Sequence, residues 1–274
     1  MPVADASLRF PRPSLMGVVN VTPDSFSDGG RFTDVALAVA RVRELVADGA
    51  AIVDLGGEST RPGSAPVGAD EELRRVVPVL EALGGSAPLS IDTSKAAVAR
   101  AALDHGAELV NDVTALRGDP QLVEVVAESG CLVCLMHMQG TPQTMQLAPR
   151  YDDVVSEVAA FLEQRIAFCV ANGIPEERIV LDPGVGFGKA HEHNLALVRG
   201  LATIVALGRP VLVGLSRKSL LGRLLGEGAP IRGSDAASVG AAAFALQQGA
   251  TLFRVHDVAF HRDALAIAAA LADG

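Results

Sequence analysis

Short runs of apolar residues alternate with longer, Ala-rich amphipathic stretches along the whole chain. The apolar runs have the length of buried strands, and the amphipathic stretches carry apolar residues at helical spacing. The pattern predicts strands near 15–20, 51–55, 89–92, 108–112, 132–136, 179–182, 211–215 and 252–256. It predicts helices near 33–48, 69–83, 94–104, 119–129, 151–172, 191–207, 234–248 and 258–271.

Eight strand–helix units in series predict a parallel α/β sheet, because each helix returns the chain to the same end of the sheet. A length of 274 residues suits closure of these units into a single (β/α)8 TIM barrel. The alternative is an open, doubly wound sheet, but its G-x-G-x-x-G fingerprint after the first strand is absent. No linker divides the chain, so residues 1–274 are predicted as one domain, with 1–13 as an N-terminal extension that forms a small cap or hairpin over the barrel's bottom.

Composition and charge narrow the class of protein. The formal net charge of −9 argues against a nucleic-acid partner. No apolar run is long enough to span a membrane and no signal peptide is apparent, so a cytoplasmic location is predicted. Cys131 and Cys134 form a C-x-x-C, but residues three apart on a strand point to opposite faces. A zinc or redox site is therefore not predicted there.

Polar side chains stand at the ends of the predicted strands, where the active site of this fold lies. A buried ring of such groups is unfavourable unless it binds something, although any single one could simply cap a neighbouring loop. The side chains concerned are Asn20, Asp54, Asp92, Asn111, Asp112, His137, Asp182, Lys218, Arg254 and His256.

Two groups within this ring suggest different ligands. Arg254 and His256, with the loop 216–219, form a corner that suits a phosphate, and phosphate sites in this fold often follow strands seven and eight. Asp92, Asn111 and Asp182 could accept hydrogen bonds from a heterocycle rich in N–H groups, with Lys218 offsetting their charge. Acid–base catalysis by the paired carboxylates is the competing interpretation, and spacing alone leaves both open.

Long polar loops follow the first two strands, at 22–32 and 56–66. Both are rich in Gly, Ser, Pro and acidic residues, and both could close over the mouth of the barrel. Phe26, Thr60 and Arg61 give them an aromatic ring, a hydroxyl and a cation.

Seven segments together resemble the dihydropteroate synthases, the pterin-binding enzymes of folate biosynthesis that sulfonamides inhibit. The match spans nearly the whole chain, with one small departure at Ala190, where a Thr is common. The segments are 16–30, 56–63, 90–93, 111–113, 182–189, 216–219 and 254–257. The resemblance implies a TIM barrel and a magnesium-assisted transferase. The reaction joins 6-hydroxymethyl-7,8-dihydropterin diphosphate to 4-aminobenzoate and releases diphosphate.

The resemblance also implies roles for individual residues. Catalytic roles fall on Asp92, Asp28, Lys218 and Arg254. Pterin contacts fall on Asp92, Asn111, Met136, Asp182, Phe187 and Lys218. Diphosphate contacts fall on Asn20, Arg254 and His256, with Asn20 also a Mg²⁺ ligand. Aminobenzoate contacts fall on Phe26, Thr60, Arg61, Pro62 and Ser219.

The chemistry implied is displacement at the pterin methylene carbon through a cationic pterin, with Asp92 stabilising the positive charge. A homodimer built on the last helices is also expected, because residues 234–250 are dense in Ala and Gly and allow close helix approach. Two alternatives stay open from sequence. One is a methyltransferase that passes a methyl group from methyltetrahydrofolate to a corrinoid, and the other is a catalytically idle pterin-binding paralogue.

Overall fold

Parallel strands close almost completely into a barrel in the computed structural model, which describes residues 5–22 and 31–272, without the side chains of 31–33. The predicted site residues Phe26 and Asp28 lie outside the described residues. The strands are β1 (Ser14–Asn20), β2 (Ile52–Gly56), β3 (Leu89–Asp92), β4 (Leu109–Asp112), β5 (Leu132–Met136), β6 (Ile179–Asp182), β7 (Leu212–Val213) and β8 (Leu252–Val255). Their order in the sheet is β6-β5-β4-β3-β2-β1-β8-β7.

The two edge strands of this sheet meet at a single bridge. Leu181 of β6 pairs with Val211, just before β7, and the Leu181 N–H donates to the Pro210 carbonyl over 2.9 Å. The eight strands therefore form a nearly closed (β/α)8 barrel, as the alternation of apolar and amphipathic segments predicts. The alternative of an open, doubly wound sheet is wrong.

Helices surround the barrel at the positions that the sequence predicts. They are α2 (Arg31–Ala47), α3 (Ala69–Leu83), α4 (Ala96–Asp104), α5 (Leu122–Ser129), α6 (Val154–Ala171), α7 (His191–Arg199), α8 (Leu201–Val205), α10 (Asp235–Gln247) and α11 (Val258–Ala272). Two short helices were not predicted, α1 (Ala6–Arg9) before the barrel and α9 (Ser219–Leu225) after β7.

The helix predicted near 191–207 is divided into α7 and α8 at Gly200. A Cβ at Gly200 would stand only 2.8 Å from a methyl group of Val155 on α6, so this close approach requires glycine. The sequence pattern does not predict this break, because apolar residues keep their helical spacing on both sides of Gly200.

The interior of the barrel is apolar at its amino-terminal end. Strand side chains of this layer pack together with Ala6 and Phe10 of the N-terminal segment: Met16, Ile52, Leu109, Leu132, Cys134, Val180, Leu212 and Leu252. The predicted cover over the bottom is thus confirmed, although it is formed by the helix α1 and Phe10 rather than by a hairpin. Alternate strand residues face outward into the larger core under the helices, which includes Cys131. The two cysteines lie in different clusters, as strand alternation predicts.

None of the helices in the described ranges combines the length and the apolar character needed to cross a membrane. The cytoplasmic location stays a prediction of the sequence.

Candidate active site

A cavity of about 850 Å³ opens at the carboxyl ends of the strands, above the apolar layer. Every described residue to which the resemblance assigns a role lines it, whereas three other members of the predicted strand-end ring, Asp54, Asp112 and His137, do not. The residues that do are Asn20, Thr60, Arg61, Pro62, Asp92, Asn111, Met136, Asp182, Phe187, Lys218, Ser219, Arg254 and His256. The fold therefore brings together residues that lie more than two hundred positions apart in the chain.

Arg254 is bound to two buried carboxylates at the floor of this cavity. Its Nε donates to Asp54 Oδ2 over 2.7 Å, and one terminal nitrogen donates to Asp92 Oδ2 over 3.0 Å. Asp54 is completely buried, and Asp92 is 6% exposed. The guanidinium thus offsets part of the negative charge at the floor of the site, a role that the sequence did not predict for it.

Asp54 is the centre of this network, although the resemblance assigns this member of the strand-end ring no role. Besides Arg254, it accepts hydrogen bonds from Ser90 Oγ over 2.7 Å and from Asn111 Nδ2 over 3.0 Å. The strand register explains the arrangement, since Asp54 pairs with Ser90, and Asp92 pairs with Asn111. Strand alternation could have indicated the acidic and amide part of this network, because Asp54, Ser90, Asp92 and Asn111 share the inward face.

The electrostatics of the floor keep part of it neutral. Burial, followed by the negative charge of Asp54, raises the pKa of Asp92 to about 8, against the lowering effect of Arg254. Burial also raises the pKa of Asp182, although its Oδ1 accepts a hydrogen bond from the Gly184 N–H over 2.7 Å. Asp92 can therefore gain or lose a proton near neutral pH when a ligand enters.

Lys218 and Phe187 form one wall of the cavity. The Lys218 ammonium lies 4.4 Å from the centroid of the Phe187 ring, at a distance suited to a cation–π contact. Burial lowers the pKa of Lys218 to about 8, and the charge of Asp182 opposes that shift only in part. A planar ligand beside this wall would contact an aromatic ring and a hydrogen-bond donor at once.

The loop that carries Phe187 is held from below by Lys189, which the sequence did not single out. Lys189 is 2% exposed. Its ammonium donates to His137 Nδ1 over 2.9 Å and to the carbonyls of Gly184 and Phe187 over 2.9 and 3.0 Å. Burial, followed by the charge of Lys189, lowers the pKa of His137 to about 3, so the ring is neutral and its Nδ1 accepts the bond.

Gly184 begins this loop with a φ of +69°, and a Cβ there would stand 1.9 Å from the His137 carbonyl oxygen. Only glycine fits this conformation and this contact. The Gly-rich segment after β6 is therefore a compact turn around the Lys189 ammonium.

The predicted anion corner lies beside Arg254. His256 Nδ1 and Ser216 Oγ are 3.1 Å apart, which joins the ends of β7 and β8. Burial, followed by the charge of Arg254, lowers the pKa of His256 to about 4. Arg217, between Ser216 and Lys218, has a φ of 56°, an uncommon conformation for a side-chain-bearing residue. This turn directs Lys218 into the cavity and places Ser219 at the start of α9.

The loop between β2 and α3, residues 57–68, lies at the rim of the cavity. This rim loop carries Thr60, Arg61 and Pro62. Ser59 Oγ and Ser64 Oγ lie 3.0 Å apart across it, and the Gly63 N–H donates to the Pro142 carbonyl over 3.0 Å. Arg61 and Pro62 are exposed. The cavity thus has a deep polar part on the strand ends and an outer part framed by this loop.

Comparison with known proteins adds independent findings. The model of a family described as "Pterin binding enzyme" matches residues 16–256. The dihydropteroate synthase of Escherichia coli is 48% identical over 92% of this chain and 89% of its own length. A solved structure of the Xanthomonas albilineans dihydropteroate synthase with 4-aminobenzoic acid is 50% identical, with a TM-score of 0.87 over 95% of this chain and 93% of that one. The Yersinia pestis enzyme, solved with a sulfonamide drug, is 45% identical, with a TM-score of 0.89 over 96% and 95% of the two chains.

Proposed function

The chain belongs to the pterin-binding enzyme family, among the dihydropteroate synthases, and we propose that the cavity at its strand ends joins a dihydropterin diphosphate to 4-aminobenzoate. The chain is accordingly a transferase, and the resemblance read from its sequence is confirmed. The observation that carries the residue assignment is the convergence of Asp92, Asn111, Asp182 and Lys218 on one cavity, next to Arg254 and His256.

The deep part of the cavity suits the pterin. Carboxylates of Asp92 and Asp182 would accept from the N–H groups of the ring, and Lys218 would donate to a ring carbonyl or nitrogen. Phe187 and Met136 give this part its apolar surfaces. The outer part, between Ser219 and the loop of Thr60 to Pro62, suits the aminobenzoate, the compound with which the Xanthomonas albilineans enzyme was solved.

The reaction breaks the bond between the pterin methylene carbon and the diphosphate oxygen, and the electron pair leaves with the diphosphate. The cationic pterin that results would lie above Asp92, whose carboxylate stabilises the positive charge. Arg254 and His256 would hold the departing anion. The amine of aminobenzoate then bonds to the methylene carbon and releases a proton, while the closed loops exclude water.

Magnesium fits this site only together with the diphosphate. Among the described residues no group of three His, Cys, Asp or Glu side chains could hold a metal ion. Asn20 ends β1 at the cavity, and its amide oxygen is a hard ligand of the kind that Mg²⁺ accepts alongside phosphate oxygens and water. Bound there, the ion would supply positive charge for the leaving group.

The proposed reaction has a direct test. The purified protein is incubated with pterin diphosphate, 4-aminobenzoate and magnesium, and dihydropteroate is measured by chromatography. Product is expected in amounts that depend on both substrates. Absence of product with a correctly folded protein would contradict the proposal.

Substrates should bind in a fixed order, with the pterin diphosphate first. Ordering a loop residue costs about 1–2 kcal/mol. The loop predicted at 22–32, most of which lies outside the described residues, and the exposed tip of the rim loop at Arg61 and Pro62 should therefore close over the cavity only when bound diphosphate and magnesium offset that cost. Calorimetry should therefore show little heat when a sulfonamide is added to the free enzyme. A clear signal is expected when diphosphate, magnesium and a pterin are present, and tight sulfonamide binding to the free enzyme would contradict loop closure.

The protein should form a homodimer through α10 and α11. Large apolar side chains are exposed on these helices, Phe244 on one and Phe260, Ile267 and Leu271 on the other. A second copy of the chain would cover them and leave the cavity open. Sedimentation at micromolar concentration should give the mass of two chains, and Ile267→Arg should give the mass of one. A wild-type protein that sediments only as a monomer would contradict the dimer.

A further inference from the structure

Three charged side chains fasten the rim loop to the body of the barrel. The Lys95 ammonium donates to Glu58 Oε2 over 2.5 Å and to Glu72 Oε2 over 2.6 Å. Glu58 belongs to the rim loop, Glu72 to α3, and Lys95 stands immediately before α4. None of the three lines the cavity, so the proposed reaction does not use them directly.

Glu58 holds both ends of the loop at once. Its second carboxylate oxygen, Oε1, accepts from the Val67 N–H over 3.0 Å, while Oε2 accepts from Lys95. Residues 58–67 are therefore closed into a ring, and the ring is attached to Lys95. Thr60, Arg61 and Pro62, the loop residues at the cavity, lie inside this ring.

Lys95 connects the loop to the floor of the site. It follows Asp92, the last residue of β3, after only two intervening residues. Glu72 is completely buried, and its Oε1 has no hydrogen-bond partner in the structure. Among the described residues, Lys95 is the cation paired with this buried carboxylate, so displacing Lys95 would leave a buried charge uncompensated.

The protonation of Lys95 agrees with this geometry. Burial lowers the pKa of Lys95, but the hydrogen bonds and charges of Glu58 and Glu72 outweigh burial and raise it above its ordinary value. Lys95 therefore stays an ammonium ion at neutral pH. Its single positive charge is shared by the carboxylates of Glu58 and Glu72, and each of the two contacts is a charge-assisted hydrogen bond.

We infer that Glu58 and Lys95 are positioning residues that hold the rim loop in place for the second substrate. The inference rests on the proposed function, because it concerns the aminobenzoate end of that site. Without the attachment, Thr60, Arg61 and Pro62 would leave the cavity more often. Affinity for the pterin diphosphate, which lies on the strand ends, would change little.

Glu58→Gln is the variant that separates charge from shape. A glutamine has one oxygen and one amide nitrogen, so it cannot offer a separate acceptor oxygen to Lys95 and to the Val67 N–H. The variant leaves Glu72 paired with Lys95 and should fold. Glu128→Gln is the matched control, since Glu128 is an exposed carboxylate on α5 whose nearest cation, Arg100, is 3.8 Å away.

Hydrogen exchange and steady-state kinetics test the inference together. In Glu58→Gln, exchange of residues 57–68 should be about tenfold faster, and the KM for 4-aminobenzoate should rise about tenfold, as expected for loss of one charge-assisted hydrogen bond. The KM for the pterin diphosphate should stay within about twofold of wild type. Lys95→Met combined with Glu58→Gln should raise the aminobenzoate KM no further than the larger single effect, because the residues act as one unit.

The possible failures are distinguishable. Unchanged exchange of 57–68 in Glu58→Gln, or an equal rise of both KM values, would overturn the inference. If Lys95→Met does not fold, Glu58→Gln decides alone. A wild-type protein without synthase activity would contradict the proposed function, while the exchange comparison would still test the attachment of the loop.

Discussion

Replacing Asp92 by Asn is expected to lower kcat by about 100- to 1,000-fold, the range seen when one preorganised electrostatic group is removed from a catalytic site. The amide keeps the size of the carboxylate but lacks its charge, so a cation above it loses its stabilising partner. Affinity for the pterin itself should fall by much less, about tenfold or below, because the amide oxygen still accepts a hydrogen bond. Stopped assays of dihydropteroate and calorimetry with a pterin measure the two effects.

Glu192→Gln provides a matched control, since Glu192 is an exposed carboxylate at the rim of the same cavity. It should leave kcat unchanged. A near-normal kcat in Asp92→Asn would rule out the role of Asp92 in stabilising the cation.

The pH profile offers a second measurement of the same group. With a pKa of about 8 in the free site, Asp92 is protonated below that pH and ionised above it. The carboxylate form is the active one, so kcat/KM for the pterin diphosphate should rise as the pH approaches about 8. Lys218, whose pKa is also about 8, loses its charge over the same range, so the profile should fall again at higher pH. The Asp92→Asn enzyme should lack this rise. A rise that persists in the variant would have to come from another group.

Replacing Arg254 by Met should lower the free energy of unfolding by about 3–5 kcal/mol, because it leaves Asp54 and Asp92 buried without their cation. It should also weaken binding of the pterin diphosphate, while binding of a pterin without phosphates changes little. Denaturant unfolding measures the first effect, and calorimetry with the two ligands measures the second.

A double variant separates these two roles of Arg254. Asp54→Asn removes one of the carboxylates that Arg254 neutralises. Combined with Arg254→Met, it should recover a large part of the lost stability and none of the diphosphate affinity. If Arg254→Met weakens binding of the pterin diphosphate and of the phosphate-free pterin equally, the role of Arg254 is purely structural. The prediction that Arg254 helps to bind the diphosphate is then wrong.

The barrel and the ring of strand-end residues could be predicted because both depend on short-range patterns. Apolar runs and helical spacing indicate the strand–helix units, and alternation along a strand decides which side chains face inward. Asp92, Asn111 and Asp182 follow from these rules alone. Their assignment to a pterin came from the resemblance, since spacing was equally compatible with acid–base catalysis.

The contacts of the cations could not be predicted in the same way. Arg254 on β8 meets Asp54 on β2 and Asp92 on β3, and only the curvature of the barrel brings these side chains across β1 to one another. Lys189 and Lys95 look like ordinary surface lysines in the sequence. Their burial depends on backbone carbonyls and carboxylates from distant elements, which leave no local pattern.

In the part of the chain that the structure describes, the apolar layer around Phe10 closes the amino-terminal end of the barrel, and the cavity opens at the carboxyl ends of the strands. The first substrate to bind would occupy the deep part of the cavity, and the second substrate would cover it. Under the proposed arrangement, the joined product would leave with its aminobenzoyl end first, because the apolar layer closes the end of the barrel beneath the pterin. An inhibitor that binds only in the outer part of the cavity would cover the molecule bound beneath it. Such an inhibitor should therefore also slow the dissociation of an unreacted first substrate.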